Sequence, residues 1–337
     1  MRTFVFLPPL ARGSGGLAVL KALVRTLHAA GREVYAVLRE GLADADFPCL
    51  SWEQALPAPQ DLWLVPEGWP NALAPGLHAG ARCVVWVQNH GMLFSSLPEG
   101  LGWDRLPAHF LAISAPVARF IKDVLGQDAP ILRPAVDGAV FFPEAVPASA
   151  PQGVREVRIA WMPRKNKALG QQIQAALAHR LRQTPALRGR VVWEPVHGLD
   201  QQGVAQALRR SQIFLATGFP EGCPLPPLEA MASGCLVTGF AGHGGWDYLR
   251  QAWDGLPGPW FESHPDAPGN ALIAPDGDVL AATLALEQAL RWHAEGDARL
   301  APALAAARTT AARYAPHVFA HTAEALWTRA AAGEVFC

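Results

Sequence analysis

The chain has 337 residues, half of them apolar and only 17% charged, with a net charge of −1. That length suits two domains of ordinary size, each burying its own core. The charge balance offers no basic face or tail for DNA or RNA, so no nucleic-acid partner is expected. Cys49, Cys83, Cys223, Cys235 and Cys337 are odd in number, scattered and without a C-x-x-C pair. Neither a disulfide framework nor a zinc site is indicated, and a reducing, cytoplasmic location is expected.

The amino-terminal run MRTFVFLPPLARGSGG is too short in its apolar part, and too broken by proline, for a signal peptide or a membrane span. It reads as a strand, Thr3 to Leu7, then a Gly-rich loop, Arg12 to Gly16. A helix from Leu17 follows, with Leu20, Leu23, Val24 and Leu27 on one face and Gly31 at its end. Strands are expected at Val34 to Leu38, Leu62 to Val65, Cys83 to Val87 and Phe110 to Ile113, and Ser114 with Pro116 marks a helix start. Asp44-Ala45-Asp46 lacks a preceding buried strand and reads as a solvated loop. Phe142 to Pro151 carries three prolines and no periodicity, the composition of a linker.

The alternation restarts with strands at Val157 to Trp161, Val191 to Trp193, Ile213 to Ala216, Leu236 to Gly239 and Ala271 to Ala274. Helices follow from Asp278 to about Trp292 and from about Val318 to Ala330. Short apolar runs alternating with helices predict parallel α/β layers. The expected division is 1–145, a linker 146–155, 156–310, and a C-terminal helix in 311–337.

The run Phe219 to Gly234, FPEGCPLPPLEAMASG, places Glu221 and Glu229 eight positions apart. With a helix from Leu228 to Ser233, Glu229 sits in its first turn and Glu221 on the loop before it. Both can then face one ligand near a helix N-terminus, where phosphates are favoured. Arg164 and Lys165 follow the strand Val157 to Trp161 in WMPRKNKALG, where two cations can meet a diphosphate; Lys167 competes with Lys165 for that part. Gly13 to Ala18 also satisfies G-x-G-x-x-A, with Glu40 at the end of the second strand, which keeps an NAD-dependent oxidoreductase as an alternative. Against it, Pro8 to Arg12 separate the strand from the first glycine.

The segment Gln212 to Thr238 resembles the E-x7-E signature of retaining GT-B glycosyltransferases of the family-4 type: a strand, E-G-F-G-x-x-x-x-E-A-M-A-x-G, and a second strand. Pro134-Ala135-Val136-Asp137 with Phe142-Pro143 echoes the N-G-V-D-x-x-x-F-x-P hinge, and Gly242 to Asp247 the G-G-x-x-E segment, with Asp247 in the acid's place. The resemblance implies an α/β GT-B fold of two doubly wound Rossmann-like domains facing each other across a cleft, the last helix returning to the first domain. It implies transfer of a sugar from a UDP- or GDP-linked donor to a glycan, lipid or other hydroxyl acceptor, with no metal and no further cofactor. Peripheral membrane contact is compatible with it.

By the same resemblance, Glu221, Arg164, Lys165 and His90 carry the chemistry. Glu229, Gly15, Gly16, Gly222, Cys223 and Leu225 hold the donor. This chain departs from the pattern at Cys223-Pro224, where the family has F-G; proline removes a backbone donor that a sugar hydroxyl could use. A catalytically silent nucleotide-sugar-binding subunit is therefore a second alternative.

Overall fold

The computed structural model describes residues 1–9, 15–40, 44–144, 156–184, 186–187, 189–256 and 267–336. Arg12, Gly13 and Ser14 of the Gly-rich loop, the expected linker 146–155, and Cys337 lie outside them. The chain forms two compact units, one made of Met1–Ala135 and Pro316–Cys337, the other of Val136–Ala315.

The first unit holds β1 (Thr3–Leu7), α1 (Gly15–Ala29), β2 (Val34–Leu38), β3 (Cys49–Ser51), β4 (Leu62–Pro66), α2 (Ala74–His78), β5 (Arg82–Val87), β6 (Ala108–Ala112) and α3 (Ala115–Leu125). Its six strands pair in parallel in the order β3-β2-β1-β4-β5-β6. β1 and β4 are buried at every position. Such uninterrupted apolar runs suit strands covered on both faces and not the alternation of a half-exposed sheet.

α1 buries Val19, Leu20, Leu23, Val24 and Leu27. It starts two residues earlier than the sequence predicts, so Gly15 and Gly16 belong to its first turn. Ser114 caps α3, its hydroxyl accepting from Val117 N at 3.4 Å, and Gly126 ends that helix at φ 72°.

The second unit holds β7 (Val157–Trp161), α4 (Lys167–Arg182), β8 (Val191–Pro195), α5 (Gln201–Arg209), β9 (Ile213–Ala216), α6 (Leu225–Ala232), β10 (Leu236–Phe240), β11 (Ala271–Ala274), α7 (Val279–Glu295) and α8 (Leu300–Ala312). Its parallel sheet runs β11-β10-β9-β7-β8. Ile159, Ile173, Leu177, Ile213, Leu215, Phe240, Leu286 and Trp292 belong to its core. Residues 136–144 cluster with this unit: Val136 N donates to Tyr314 O at 2.7 Å, and Arg209 Nη1 to Val140 O at 2.9 Å.

α9 (Pro316–Ala331) belongs to the first unit. It buries Phe319, Ala323, Leu326, Trp327 and Ala330. Trp327 Nε1 donates to Thr3 Oγ1 at 2.9 Å, and Arg32 of the α1–β2 turn pairs with Glu324. α8 went unread in the sequence for a physical reason: its buried face is Ala303, Ala306, Ala307 and Ala311, which contrasts too little with its outer alanines to show a period.

Each sheet has one point where successive strands leave in opposite directions, and in open α/β sheets ligands bind outside the carboxyl ends of the strands there. In the first unit that point lies between β1 and β4. In the second it lies between β7 and β9.

Candidate functional site

β7 ends at Trp161, and the turn after it carries Arg164, Lys165 and Asn166. β9 ends at Ala216, and the loop after it carries Glu221. The switch point of the second sheet therefore brings the basic turn beside the acidic loop. Lys165 Nζ forms an ion pair with Glu221 Oε1; their side chains are 29% and 18% exposed.

Side chains tie the two loops together. Asn166 adopts the left-handed region (φ 54°, ψ 59°), which asparagine tolerates better than most residues. Its Nδ2 donates to Thr217 O at 2.8 Å and to Phe219 O at 3.2 Å. In return the buried Thr217 hydroxyl donates to Lys165 O. Lys167 is instead the first residue of α4 and is exposed.

Glu221 is framed by backbone. Glu221 N donates to Gly242 O at 2.8 Å, and Gly244 N to Glu221 O at 2.9 Å. A Cβ on Gly244 would lie 1.9 Å from Gly222 O, a backbone clash that requires glycine there, whereas one on Gly218 would lie 2.8 Å from Glu221 Oε1 and would push that carboxylate aside. Between Gly242 and Gly244, His243 sits at φ 66°, ψ −65°, with Gly244 N donating to Gly242 O at 2.9 Å. This is a strained three-residue turn for a residue with a side chain. Asp276, past the end of β11, fastens it by accepting from Gly242 N at 2.8 Å. Burial raises the Asp276 carboxyl, and the N–H groups of Gly242, His243 and Ala241 pull it back.

α6 begins at Leu225, three residues before the predicted start, so Glu229 stands in the second turn and not the first. Prolines cause the difference: Pro226 and Pro227 fall within the first turn, where a missing N–H breaks no helical hydrogen bond. With Pro224 at the cap, three of the four N–H positions that a helix start normally offers an anion are absent. Burial pushes Glu229 up to about 7, against the pull of the Arg164 guanidinium. Arg164 is itself exposed. Gly222 and Cys223 are buried beside this helix start.

A small pocket of about 20 Å³ lies beside the ion pair, lined by Lys165, Glu221, Thr217, Pro224, Pro226 and Phe240 among others. Asp247 stands apart from Glu221 and Lys165 in role. It is buried and accepts the Tyr314 hydroxyl at 2.6 Å, a core contact.

In the first unit, the β1/β4 switch point carries Glu67, one residue past β4 and 4% exposed. Its two carboxylate oxygens accept from Gln88 N at 3.0 Å and Asn89 N at 2.8 Å, and Ser96 Oγ donates to its carbonyl at 2.8 Å. Burial lifts this carboxyl up to about 7, with the backbone donors opposing. His90, next in the same loop, packs its ring against Phe120 in a tilted arrangement, with centroids 5.1 Å apart and planes at 54°. Asp44 and Asp46 pair with Lys21 and Arg25. Among the described residues no cluster of three His, Cys, Asp or Glu could hold a metal, and no helix is long and apolar enough to cross a membrane.

Sequence reasoning passed over Glu67, Asn166, Thr217 and Asp276. Only their places just past the ends of expected strands could have singled them out.

No family model matches the chain. A stretch of 66 residues is 36% identical to an alpha-1,6-glucosyltransferase of Actinobacillus pleuropneumoniae serotype 7 (strain AP76), spanning 20% of this chain and 20% of that protein. Among solved structures, the chain is similar to a sucrose-phosphate synthase from Thermosynechococcus elongatus, with a TM-score of 0.68, 14% identity, and 99% of this chain and 100% of that one covered. It is also similar to the catalytic domain of starch synthase IV from Arabidopsis thaliana, bound to ADP and acarbose, with a TM-score of 0.59, 13% identity and coverage of 98% and 99%. Two parallel sheets in these orders, with these neighbours, are the GT-B glycosyltransferase fold.

Proposed function

We propose that this protein is a retaining glycosyltransferase that moves a sugar from a nucleoside-diphosphate donor to an acceptor hydroxyl. The observation that carries the reading is the meeting of Lys165 with Glu221 at the β7/β9 switch point, with Arg164 felt by Glu229 on the next helix.

In this reading Glu229 accepts the ribose hydroxyls, Arg164 and Lys165 meet the diphosphate, and Glu221 holds the sugar. The N–H groups of Gly222, Cys223 and Leu225 are further donors to the bound molecule; Pro224 has none. The bond from the anomeric carbon to the diphosphate oxygen breaks, and the two cations stabilise the charge left on the departing group. The acceptor oxygen bonds to the same face of that carbon, and its proton passes to the leaving phosphate. Such a path needs no protein nucleophile and leaves Glu221 to stabilise positive charge developing on the ring. Gly15 and Gly16, in the first turn of α1, and His90, after β5, belong to the first unit. The acceptor is a glycan, a lipid or another hydroxyl compound, met in the cytoplasm or at a membrane surface.

The loss of N–H groups at Pro224, Pro226 and Pro227 favours, as the second reading, a subunit that binds nucleotide sugars without turning them over. Calorimetry with UDP, GDP, ADP and NADH tests the ligand class, and hydrolysis of a donor panel followed by mass spectrometry tests turnover. Binding of a nucleoside diphosphate with turnover supports the transferase, and binding without turnover supports the subunit. Binding of NADH alone overturns both.

A further inference from the structure

The ammonium that a diphosphate would use is the one that Glu221 already holds. We propose that Glu221 and the donor diphosphate compete for Lys165, so that capture of the diphosphate is what releases Glu221 to take the sugar. The inference rests on the roles given to these two residues above, and adds an order to them.

The geometry restricts what can move. Asn166 Nδ2 holds Thr217 O and Phe219 O, and the Thr217 hydroxyl holds Lys165 O, so the backbone of Lys165 is fixed to the loop that carries Glu221. Lys165 N also donates to Met162 O at 3.0 Å, closing the turn from the other side. Glu221 is fixed through its own N–H and C=O to Gly242 and Gly244, and its carboxylate lies beside Gly218. With both backbones held, only side chains can turn, and the four-carbon stem of lysine is the longer of the two. An ammonium on a flexible stem re-aims its charge easily, which a planar guanidinium does not. Arg164, on the same turn but exposed, supplies a first attraction for the diphosphate that does not require breaking the pair.

An ion pair this sheltered is also worth more than a solvated one. The pair is part-buried, so solvent screens it less than it would a surface pair. A diphosphate must therefore displace a real partner. Once it does, the carboxylate is left facing the position of the sugar, where hydroxyl groups can satisfy it. Nucleotide binding and readiness of Glu221 are then coupled through one side chain.

The alternative is that Lys165, with three N–H donors, serves Glu221 and the phosphate together. The two arrangements differ in the sign of a double-mutant cycle. Nucleoside-diphosphate affinity is measured by calorimetry with UDP, GDP and ADP, on the full chain, for wild type, Glu221→Gln, Lys165→Met and the double variant. Competition predicts that Glu221→Gln tightens binding, and does so at least threefold more when Lys165 is present than in the Lys165→Met background. Sharing predicts the reverse, because Lys165 would then already neutralise Glu221 in the complex; that result, or equal tightening in both backgrounds, overturns the proposal. Glu221→Asp, which keeps the charge and draws it back by one methylene, should also tighten binding, and gives the same comparison if the glutamine variant folds poorly. A wild-type protein that binds none of the three nucleotides would overturn the proposed function itself. Binding that ignores position 221 would overturn only the competition.

Discussion

Glu229 offers the sharpest test of the nucleotide site, because its ionisation and its proposed ligand are linked. Burial holds its carboxyl up to about 7, where an unburied glutamate stands at 4.5. Ribose hydroxyls donate hydrogen bonds that favour the ionised form, so nucleotide binding should draw a proton off Glu229 near neutrality. With a value of about 7, roughly nine-tenths of the sites are ionised at pH 8 and about one-tenth at pH 6, and affinity should fall about tenfold between them.

The diphosphate also titrates in this range, so the informative quantity is the difference between wild type and Glu229→Gln. The glutamine variant should bind more weakly at pH 8 by on the order of 1.5–3 kcal/mol for each charged hydrogen bond lost. It should show only the pH dependence of the nucleotide. Calorimetry at pH 6, 7 and 8, in two buffers of different ionisation enthalpy, counts the protons released. Arg164→Ala should move the wild-type step to higher pH, since Arg164 is the charge that holds Glu229 down. Identical pH profiles for wild type and Glu229→Gln, or unchanged affinity in the folded variant at pH 8, would refute the assignment of Glu229 to the ribose.

Arg164→Ala should also depress turnover more than nucleotide affinity, because the charge on the diphosphate grows as it departs; survival of turnover here and its loss in Lys167→Ala would move the role along the turn. Glu221→Gln should lower kcat by roughly a hundredfold or more, the pattern of a contact made chiefly in the transition state, and an unchanged kcat at saturation would remove Glu221 from the chemistry. Turnover should persist in excess EDTA, since in the proposed site Arg164, Lys165 and backbone N–H groups would meet the diphosphate charge; loss reversed by magnesium or manganese would contradict this. Glu67, held at about 7 when folded against 4.5 when free, favours the folded state below pH 4.5 and loses that contribution as pH rises to 7, on the order of 3 kcal/mol at most. Thermal unfolding of Glu67→Gln should therefore vary less between pH 5 and 7.5 than wild type, and an equal slope would place the titration elsewhere.

The short apolar runs at Thr3–Leu7, Leu62–Pro66 and Ile213–Ala216 have the length of strands buried on both faces, and alternating with helices they point to parallel sheets from local pattern alone. The Glu221 and Glu229 spacing was equally local, since it depends on one loop and one helix. The start of that helix was not, even though its prolines were in plain view. Proline fits a first turn or a preceding loop equally well, so the prolines by themselves do not fix the residue that starts the helix. Nor could the string Arg164-Lys165-Asn166-Lys167 say which lysine reaches Glu221. That depended on β7 and β9 becoming neighbours across more than fifty residues, and on Asn166 turning left-handed to grip Thr217 and Phe219. Glu67 was invisible for the same reason: an acid after a strand is ordinary until the adjacent strand β5 brings two backbone donors to it and burial removes its water. Periodicity and spacing act within a segment, whereas partners, burial and the charge state of a carboxyl are properties of segments brought together, and only the tertiary structure decides them.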